Sequence, residues 1–307
     1  MIENKTNIND TLILVYNTMW GEDLDIPFEN IPSNVVITTD RSFFTRADAV
    51  VFHLPDLFNH LTVDLEKQEG QLWVAWCLES VENYPWIKNS EIADLFDLWM
   101  TYRQDADVVY PNYRHEYSEL VSQPVSANHK QEKTCMFISS HVNQSGRMEY
   151  LKELMQHIRI DSYGKLYNNK QLSTDLGRET KLDIFRNYKF VIAFENAIDP
   201  DYVTEKFFDP LIAGSVPVYL GAPNVEEFAP GNHCFVDVRQ FQNPQSLAQF
   251  IQACCDDEQL YATFFEWKNQ AIQASFLRKT EAQKEHPWIR LCQKIKERLL
   301  ENRQINK

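Results

Sequence analysis

Short apolar runs recur along this chain, each long enough for one buried strand and each set off from the next by a helical or polar stretch. That alternation limits the fold more than any other feature. "TLILVY" (11–16), "NVVITT" (34–39), "DAVVFHL" (48–54) and "QLWVAWCL" (71–78) are rich in Val, Ile and aromatic residues and bounded by polar ones, which predicts fully buried strands. "DLFNHLTVDLEKQ" predicts a helix between the last two, and "WMTYR" and "DVVYP" predict two further short strands. The polar, proline-bearing "SQPVSANHKQEKT" (122–134) has no period and reads as a linker. A second set follows. "CMFISS" (135–140) is a strand, and "GRMEYLKELMQHI" is an amphipathic helix with Met148, Leu151, Leu154, Met155 and Ile158 on one face. "IDSYG" is a strand and turn, "TKLDIFRNY" a helix, "KFVIAFE" a strand, "TEKFFDPLIAG" a helix closed by Gly214, and "SVPVYLG" a strand. Strands alternating with helices build parallel sheets covered by helices. Two such sets in 307 residues, more than one domain usually holds, predict an α/β protein of two Rossmann-like domains facing a central cleft. The expected boundaries are 1–128, 129–275 and a basic amphipathic helical tail at 276–307.

The tail differs in charge. Residues 278–307 hold nine Lys or Arg against four Asp or Glu, a net +5 that leaves −19 for the rest of a chain whose total is −14. "WIRLCQKIKERLLENR" places Ile289, Cys292, Ile295, Leu299 and Leu300 near one face, which predicts a helix packed on the body. Its basic polar face also suits the surface of a membrane. The overall acidity argues against a general nucleic-acid binder but leaves room for a local basic pocket. No stretch approaches the ~18 apolar residues of a membrane span. The polar start, without a basic segment or a long apolar run, does not read as a signal peptide. The six cysteines are scattered, with no Cys-x-x-Cys pair, and suggest neither a zinc site nor a disulfide framework. The three Asn-x-Ser/Thr sequons, at Asn4, Asn9 and Asn143, carry little weight without a secretion signal. These features together predict a reduced, cytoplasmic protein, with the inner face of the membrane as the one surface its tail would touch.

Open parallel sheets bind ligands at the carboxyl ends of their strands. With eight glycines and neither Gly-x-Gly-x-x-Gly nor a Walker loop, hydride transfer and P-loop chemistry are poorly supported. Asp-x-Asp occurs three times, at Asp23, Asp105 and Asp199, close to chance for this many aspartates, so no metal ligand is assigned. The stretch "YKFVIAFENAIDPDYVTEKFFDPLIAGSVPVYLGAP" (188–223) is more informative. Glu195 and Asn196 sit just past an apolar strand, and Thr204, Glu205 and Lys206 open the next helix, whose backbone N–H groups favour an anion. Arg147, in "SSHVNQSGR", opens another helix, and its guanidinium can grip phosphate oxygens in a two-pronged way. Either cation alone reads as readily as a surface charge; at matching helix starts they make a credible diphosphate clamp without a metal. Glu205 beside such a clamp suits the hydroxyls of a ribose or sugar. Glu195 is either a ligand contact or a strand-end group hydrogen-bonded to its own loop. In the first half, Glu79 follows the strand of "LWVAWCLES" among Trp73 and Trp76. A carboxylate in apolar surroundings is the better proton acceptor near neutral pH, although the same glutamate could simply cap the next segment.

The 188–223 stretch, with "FEN", "DYVTEK" and "VPVYLG", closely resembles the signature block of the α-1,3-fucosyltransferases, family 10 of the glycosyltransferases. "RADAVVFH", "LWVAWCLESVENYP", "FDLWMTYRQDADVVYPNY", "GRMEYLKELMQHIRIDSYGK", "FVDVRQFQNPQSLAQFIQ" and "YATFFEWK" are similar to further family blocks in family order, so the resemblance spans about 34–268. It implies the glycosyltransferase-B architecture, with an acceptor-binding first domain and a GDP-fucose-binding second domain. It implies inverting transfer of L-fucose from GDP-β-L-fucose to the 3-hydroxyl, in some members the 4-hydroxyl, of GlcNAc or Glc. The acceptor would be a galactose-containing glycan such as N-acetyllactosamine or lactose, with Lewis-type products. On the matching positions, Glu79 is the general base, and Arg147 and Lys206 hold the diphosphate. Asn196, Tyr202 and Glu205 surround the nucleotide and fucose, Tyr163 lies in a "YG" turn near the guanine side, and the role of Glu195 stays open. No cofactor is obligatory on this reading, and stimulation by Mn2+ or Mg2+ is left open. The chain departs from the family pattern at Pro210, inside a helix where proline ordinarily costs ~3 kcal/mol. It also shows neither the membrane anchor and stem of animal Golgi members nor the heptad repeats of some bacterial ones, which implies a compact bacterial-type enzyme. The rival readings are a transferase for another nucleotide sugar and a catalytically silent glycan-binding protein. The joint presence of Glu79, Arg147, Glu205 and Lys206 argues against the silent one.

Overall fold

A computed structural model describes residues 10–60, 65–112, 120, 132–172 and 174–305. The chain divides into two compact units, Met1–Pro111 with Gln283–Lys307, and Asn112–Ala282. Residues 122–131 of the expected linker lie outside the described residues.

Among the described residues, the first unit holds six parallel strands: β1 (Thr11–Asn17), β2 (Val35–Thr38), β3 (Ala49–His53), β4 (Leu72–Cys77), β5 (Leu98–Thr101) and β6 (Val108–Val109), in the order β2-β1-β3-β4-β5-β6. Every residue of β3 and β4 is buried, as continuous apolar runs in a sheet covered on both faces should be. Alternate residues serve opposite faces. Ile13, Val51, Val74 and Trp76 enter one core, and Leu14, Val50, Phe52 and Trp73 enter the other. The second face is not sealed by the expected helix in "DLFNHLTVDLEKQ". Of its described residues, 56–59 belong to a 3-10 helix, Leu54–Asn59, with Pro55 in its first turn, and 65–68 are not helical. Among the described residues, the strands on this side are joined by 3-10 turns and one short helix, α1 (Ser90–Ala93), and aromatic rings do the covering. Phe44, Phe52, Phe96 and Trp99 form a chain of edge and tilted contacts around Trp73.

The second unit runs β7 (Glu132–Met136), α2 (Arg147–Leu154), β8 (Asp161–Ser162), α3 (Arg178–Phe185), β9 (Tyr188–Phe194), α4 (Glu205–Ile212), β10 (Val216–Leu220), β11 (Val236–Asp237), α5 (Pro244–Asp256), α6 (Glu258–Ala262) and α7 (Ala274–Glu281). Its strands are parallel in the order β11-β10-β9-β7-β8. Strand order therefore reverses between β7 and β9. The helix after β7, α2, buries Leu151 and Leu154 on one face with Phe190 and Ile192. The helix after β9, α4, buries Phe207 and Leu211 on the other with Val191 and Ala193. Connections that leave neighbouring strands to opposite faces open a crevice at the carboxyl ends, the usual ligand site of such sheets.

The expected boundaries need correction. The first unit ends at Pro111 rather than 128, and residues 276–307 do not form a separate tail. Phe276, in α7, belongs to the core of the second unit. The last helix, α8 (Pro287–Ile305), returns to the first unit, where Trp288, Leu291, Cys292, Ile295 and Leu299 complete the core beneath β1, β3 and β4. Trp288 and Leu291 were not on the expected face, and Leu300, which was, is 56% exposed.

Candidate active site

The switch point between β7 and β9 collects most of the second-half residues singled out above. Arg147 is the first residue of α2 and follows Gly146, whose φ of 71° turns the chain into the helix. Its side chain is completely buried. Nη1 donates to the carbonyl of Phe194 at 3.1 Å and Nη2 to that of Ser140 at 2.7 Å, while Nε has no hydrogen-bond partner among the described residues. Carbonyls orient a guanidinium but do not neutralise it. Burial pulls the Arg147 pKa below its ordinary value, against Glu195, Tyr202 and Glu205.

Glu195, the first residue past β9, is also fully buried. Its hydrogen bonds run to its own loop: Thr204 donates from its backbone N at 2.8 Å and from Oγ1 at 2.9 Å to each carboxylate oxygen. Lys206 Nζ lies 3.3 Å from Oε2. The fit is tight enough to require glycine at 221, where a Cβ would come within 2.6 Å of Glu195 Cγ and 2.4 Å of the Tyr219 hydroxyl. Burial raises the Glu195 pKa and Lys206 opposes the rise. Thr204 caps α4 by accepting from Lys206 N, and Lys206 Nζ also reaches Thr204 Oγ1 at 3.0 Å and Glu205 Oε1 at 3.4 Å. Burial works against the ammonium, but Glu195 and Glu205 outweigh it and hold its pKa above the ordinary value. For Glu205 the balance runs the other way: burial would raise its pKa, and Lys206 and Lys181 bring it below the ordinary range.

A cavity of about 480 Å³ opens here, lined by Ser139, Ser140, Arg147, Asn196, Glu205 and Lys206. Asn196 is anchored through its backbone, its carbonyl accepting from Ser145 N at 3.0 Å. Tyr202 is buried, with its phenol near enough to Arg147 to act on its charge. Tyr163 stands apart. Its hydroxyl meets that of Tyr188 at 2.9 Å, and Tyr188 donates to Asp161 Oδ2 at 2.9 Å, so Tyr163 does not line this cavity. The adjacent Gly164 shapes it instead, because a Cβ there would lie 2.2 Å from the carbonyl oxygen of Ile138 in the cavity wall. Sequence reasoning missed Asp175, Arg178 and Lys181, which complete the lining. In "DLGRETK" they read only as a polar helix start.

In the first unit, Glu79 lies two residues past β4, half-buried, and accepts from Asn83 Nδ2 at 3.3 Å. It lines a cavity of about 250 Å³ with Val81, Trp99, Thr101, Tyr102 and Arg103. Near it is a buried polar group that the sequence did not reveal. His53 Nδ1 lies 2.5 Å from Asp56 Oδ1, Asn17 Nδ2 donates to the same oxygen at 3.0 Å, and His60 Nε2 sits 3.0 Å from Oδ2. Burial lowers the His53 pKa against the pull of Asp56 and Glu79, which favours a neutral ring with Nδ1–H donating to the carboxylate. Of the Asp-x-Asp pairs, Asp105 is tied to Arg103 at 3.2 Å, and Asp201 is tied to Asn224 by two bonds of 2.9 Å.

Residues 8–113 match the sequence profile of the fucosyltransferase N-terminal domain, and residues 127–307 match that of the C-terminal domain of glycosyltransferase family 10 (fucosyltransferase). The chain belongs to glycosyltransferase family 10. This fucosyltransferase is 31% identical over 270 residues to a 4-galactosyl-N-acetylglucosaminide 3-alpha-L-fucosyltransferase of Pan troglodytes, covering 84% of this chain and 72% of that protein. It is 32% identical over 250 residues to the alpha-(1,3)-fucosyltransferase B of Drosophila melanogaster, covering 76% of this chain and 56% of that one. Its fold is similar to that of an alpha1,3-fucosyltransferase solved with GDP, at a TM-score of 0.62 and 16% identity over 96% of this chain and 94% of that one. With GDP-fucose the corresponding TM-score is 0.59. The two parallel α/β units of this fucosyltransferase are those of the glycosyltransferase-B fold.

Proposed function

We propose that this fucosyltransferase moves L-fucose from GDP-β-L-fucose, with inversion, to the 3-hydroxyl or 4-hydroxyl of GlcNAc or Glc in a galactose-containing glycan. The observation that carries this reading is Arg147: a wholly buried cation, held by two carbonyls and by no carboxylate ion pair among the described residues, at the switch point of the second sheet. A cation so placed is stabilised by an anion arriving from outside, and a diphosphate at the starts of α2 and α4 also gains their backbone N–H groups.

The activity by which the Pan troglodytes relative is named, 3-alpha-L-fucosyl transfer to 4-galactosyl-N-acetylglucosaminides, and the GDP-fucose held by the structural neighbour agree with that chemistry. Inversion needs one base on the acceptor hydroxyl and no second nucleophile, a logic shared with inverting glycosidases. In this reading Glu79 takes that proton. Arg147 and Lys206 stabilise the charge that leaves with GDP, and Glu205 and Asn196 meet hydroxyls of the donor. Because cations of the chain meet the diphosphate, a metal is not obligatory. The enzyme would act in the cytoplasm. Since α8 spends its apolar face on the first unit, any contact with an anionic membrane would be electrostatic.

The test is GDP release from GDP-fucose, with and without EDTA, over lactose, N-acetyllactosamine and its β1,3-galactosyl isomer. Acceptor-dependent release that survives EDTA is expected. GDP-fucose binding without release on any acceptor would favour a silent binder, and no binding would remove the donor assignment.

A further inference from the structure

Asp209, on α4, is 1% exposed yet pairs with two cations from a different helix: Arg178 Nε at 3.0 Å from Oδ1 and Lys181 Nζ at 2.5 Å from Oδ2. Arg178 and Lys181 stand three residues apart on α3, so they share one face of that helix. Both also line the 480 Å³ cavity with Arg147 and Lys206. One buried carboxylate thus fixes the turn of α3 that brings two positive charges to the nucleotide cavity.

Charge counting shows why this matters. Arg147 and Lys206 are accompanied by Glu205 and Asp175 in the cavity wall and by Glu195 directly behind Lys206. Among the groups that line the cavity, these two cations only balance Glu205 and Asp175 and leave no surplus for a diphosphate. Arg178 and Lys181 add two positive charges against the single charge of Asp209, and that carboxylate faces α3 from within α4 rather than lining the cavity. The influence of Lys181 already reaches the cavity, since it acts on Glu205.

We propose that Arg178 and Lys181, held in place by Asp209, form a second cationic arm of the donor site that acts on the diphosphate of the nucleotide sugar. The arm deepens the GDP-fucose reading above and rests on it. Arg147 and Lys206 hold the diphosphate from the starts of α2 and α4. The α3 arm supplies the surplus positive charge that makes the site attractive to a dianion and to the more highly charged nucleotide that departs.

The experiment measures guanosine, GMP and GDP binding by calorimetry in the full chain and in its Lys181→Met, Lys181→Arg and Arg178→Met variants. Methionine keeps the length of the side chain and removes its charge. The expected result is that Lys181→Met weakens GDP about tenfold or more, the size of one lost charge-assisted hydrogen bond. GMP should lose less, guanosine should be unchanged, Arg178→Met should show the same order, and Lys181→Arg should recover most of the GDP affinity. A loss equal for guanosine and GDP would mean that the pair only supports the shape of the cavity, and unchanged GDP affinity would mean that the arm does not reach the phosphates. Either result overturns the proposal. Failure of the unsubstituted chain to bind GDP would instead remove the donor reading, and the arm with it.

Discussion

Glu195 and Glu205 flank one loop, and their environments push them in opposite directions. Glu195 is enclosed and committed to Thr204 and Lys206, whereas the side chain of Glu205 is 46% exposed and faces the cavity. Only Glu205 is placed to meet a ligand directly. Glu79 occupies the equivalent strand-end position in the first unit, half-buried and beside a cavity, as a base for an incoming hydroxyl must be. Glu79→Gln is expected to lower turnover by roughly 10²-fold while leaving GDP affinity unchanged. Steady-state rates with calorimetry check this, and near-normal turnover would remove Glu79 as the base. Asp161 supports a pH prediction. Burial raises its pKa, but bonds from Lys170, Tyr188 and Arg159 outweigh burial and hold the carboxyl below its ordinary value. Between the folded and unfolded values the unfolded chain binds more protons, so the stabilisation is complete above the ordinary carboxylate range and is lost as pH falls through the folded value. Asp161→Asn should therefore be less stable than the parent at neutral pH, by a margin that shrinks on acidification. A margin independent of pH in chemical denaturation would contradict it. The strand-end positions of Glu79 and Glu195 were legible in the sequence because apolar runs announce where strands stop, and Glu205 was legible as the start of the next helix. For Glu195 the sequence left a ligand contact and a bond to its own loop both open, and the choice between them rests on a threonine nine residues away that only the folded loop brings back.

At the scale of elements, the second unit was the more readable. Its helices carry a clear apolar stripe, so α2, β9, α4 and β10 lie close to where the pattern put them, whereas β7 begins at Glu132, inside the expected linker, and ends at Met136 rather than at 140. Pro210 stays inside α4, buried, and its carbonyl accepts from Ser215 N at 2.8 Å as the helix closes. The first unit was harder, because helical spacing in "DLFNHLTVDLEKQ" competes with aromatic rings that cover the sheet without a long helix, and residues 56–59 settle into a 3-10 turn. The join between β10 and the β9 loop is tightly fitted, since Gly221 abuts both Tyr219 and Glu195. Gly221→Ala is expected to destabilise the protein by about 1–3 kcal/mol through overpacking. It should also weaken GDP binding, because the displaced Glu195 holds Lys206. Thermal unfolding and GDP calorimetry on the same variant test both effects, and a stability loss with intact GDP affinity would uncouple the loop from the donor site.

For the molecule as a whole, the decisive feature is that the chain leaves the first unit at Pro111, builds the second, and returns at Gln283. The amphipathic pattern of residues 287–305 announced a packed helix but could not say which sheet it packs on, since any apolar face would serve. The structure supplies the partner. Trp288, 1% exposed, meets Trp76 in an edge-to-face contact with ring centroids 5.3 Å apart, and the Trp76 ring centroid lies 5.0 Å from that of His53 in the polar group near Glu79. The last helix therefore supports the strand that carries the proposed base. Trp288→Ala should cost about 3–5 kcal/mol, the usual penalty for removing a buried tryptophan. Removal of 283–307 should expose the core beneath β1, β3 and β4, make the first unit sensitive to protease and abolish transfer. GDP binding should persist in that shortened chain, because every residue lining the nucleotide cavity belongs to the second unit. Limited proteolysis with GDP calorimetry separates the outcomes. Cleavage confined to the first unit with GDP affinity retained is expected, whereas loss of GDP affinity would mean that the second unit depends on the last helix as much as the first does.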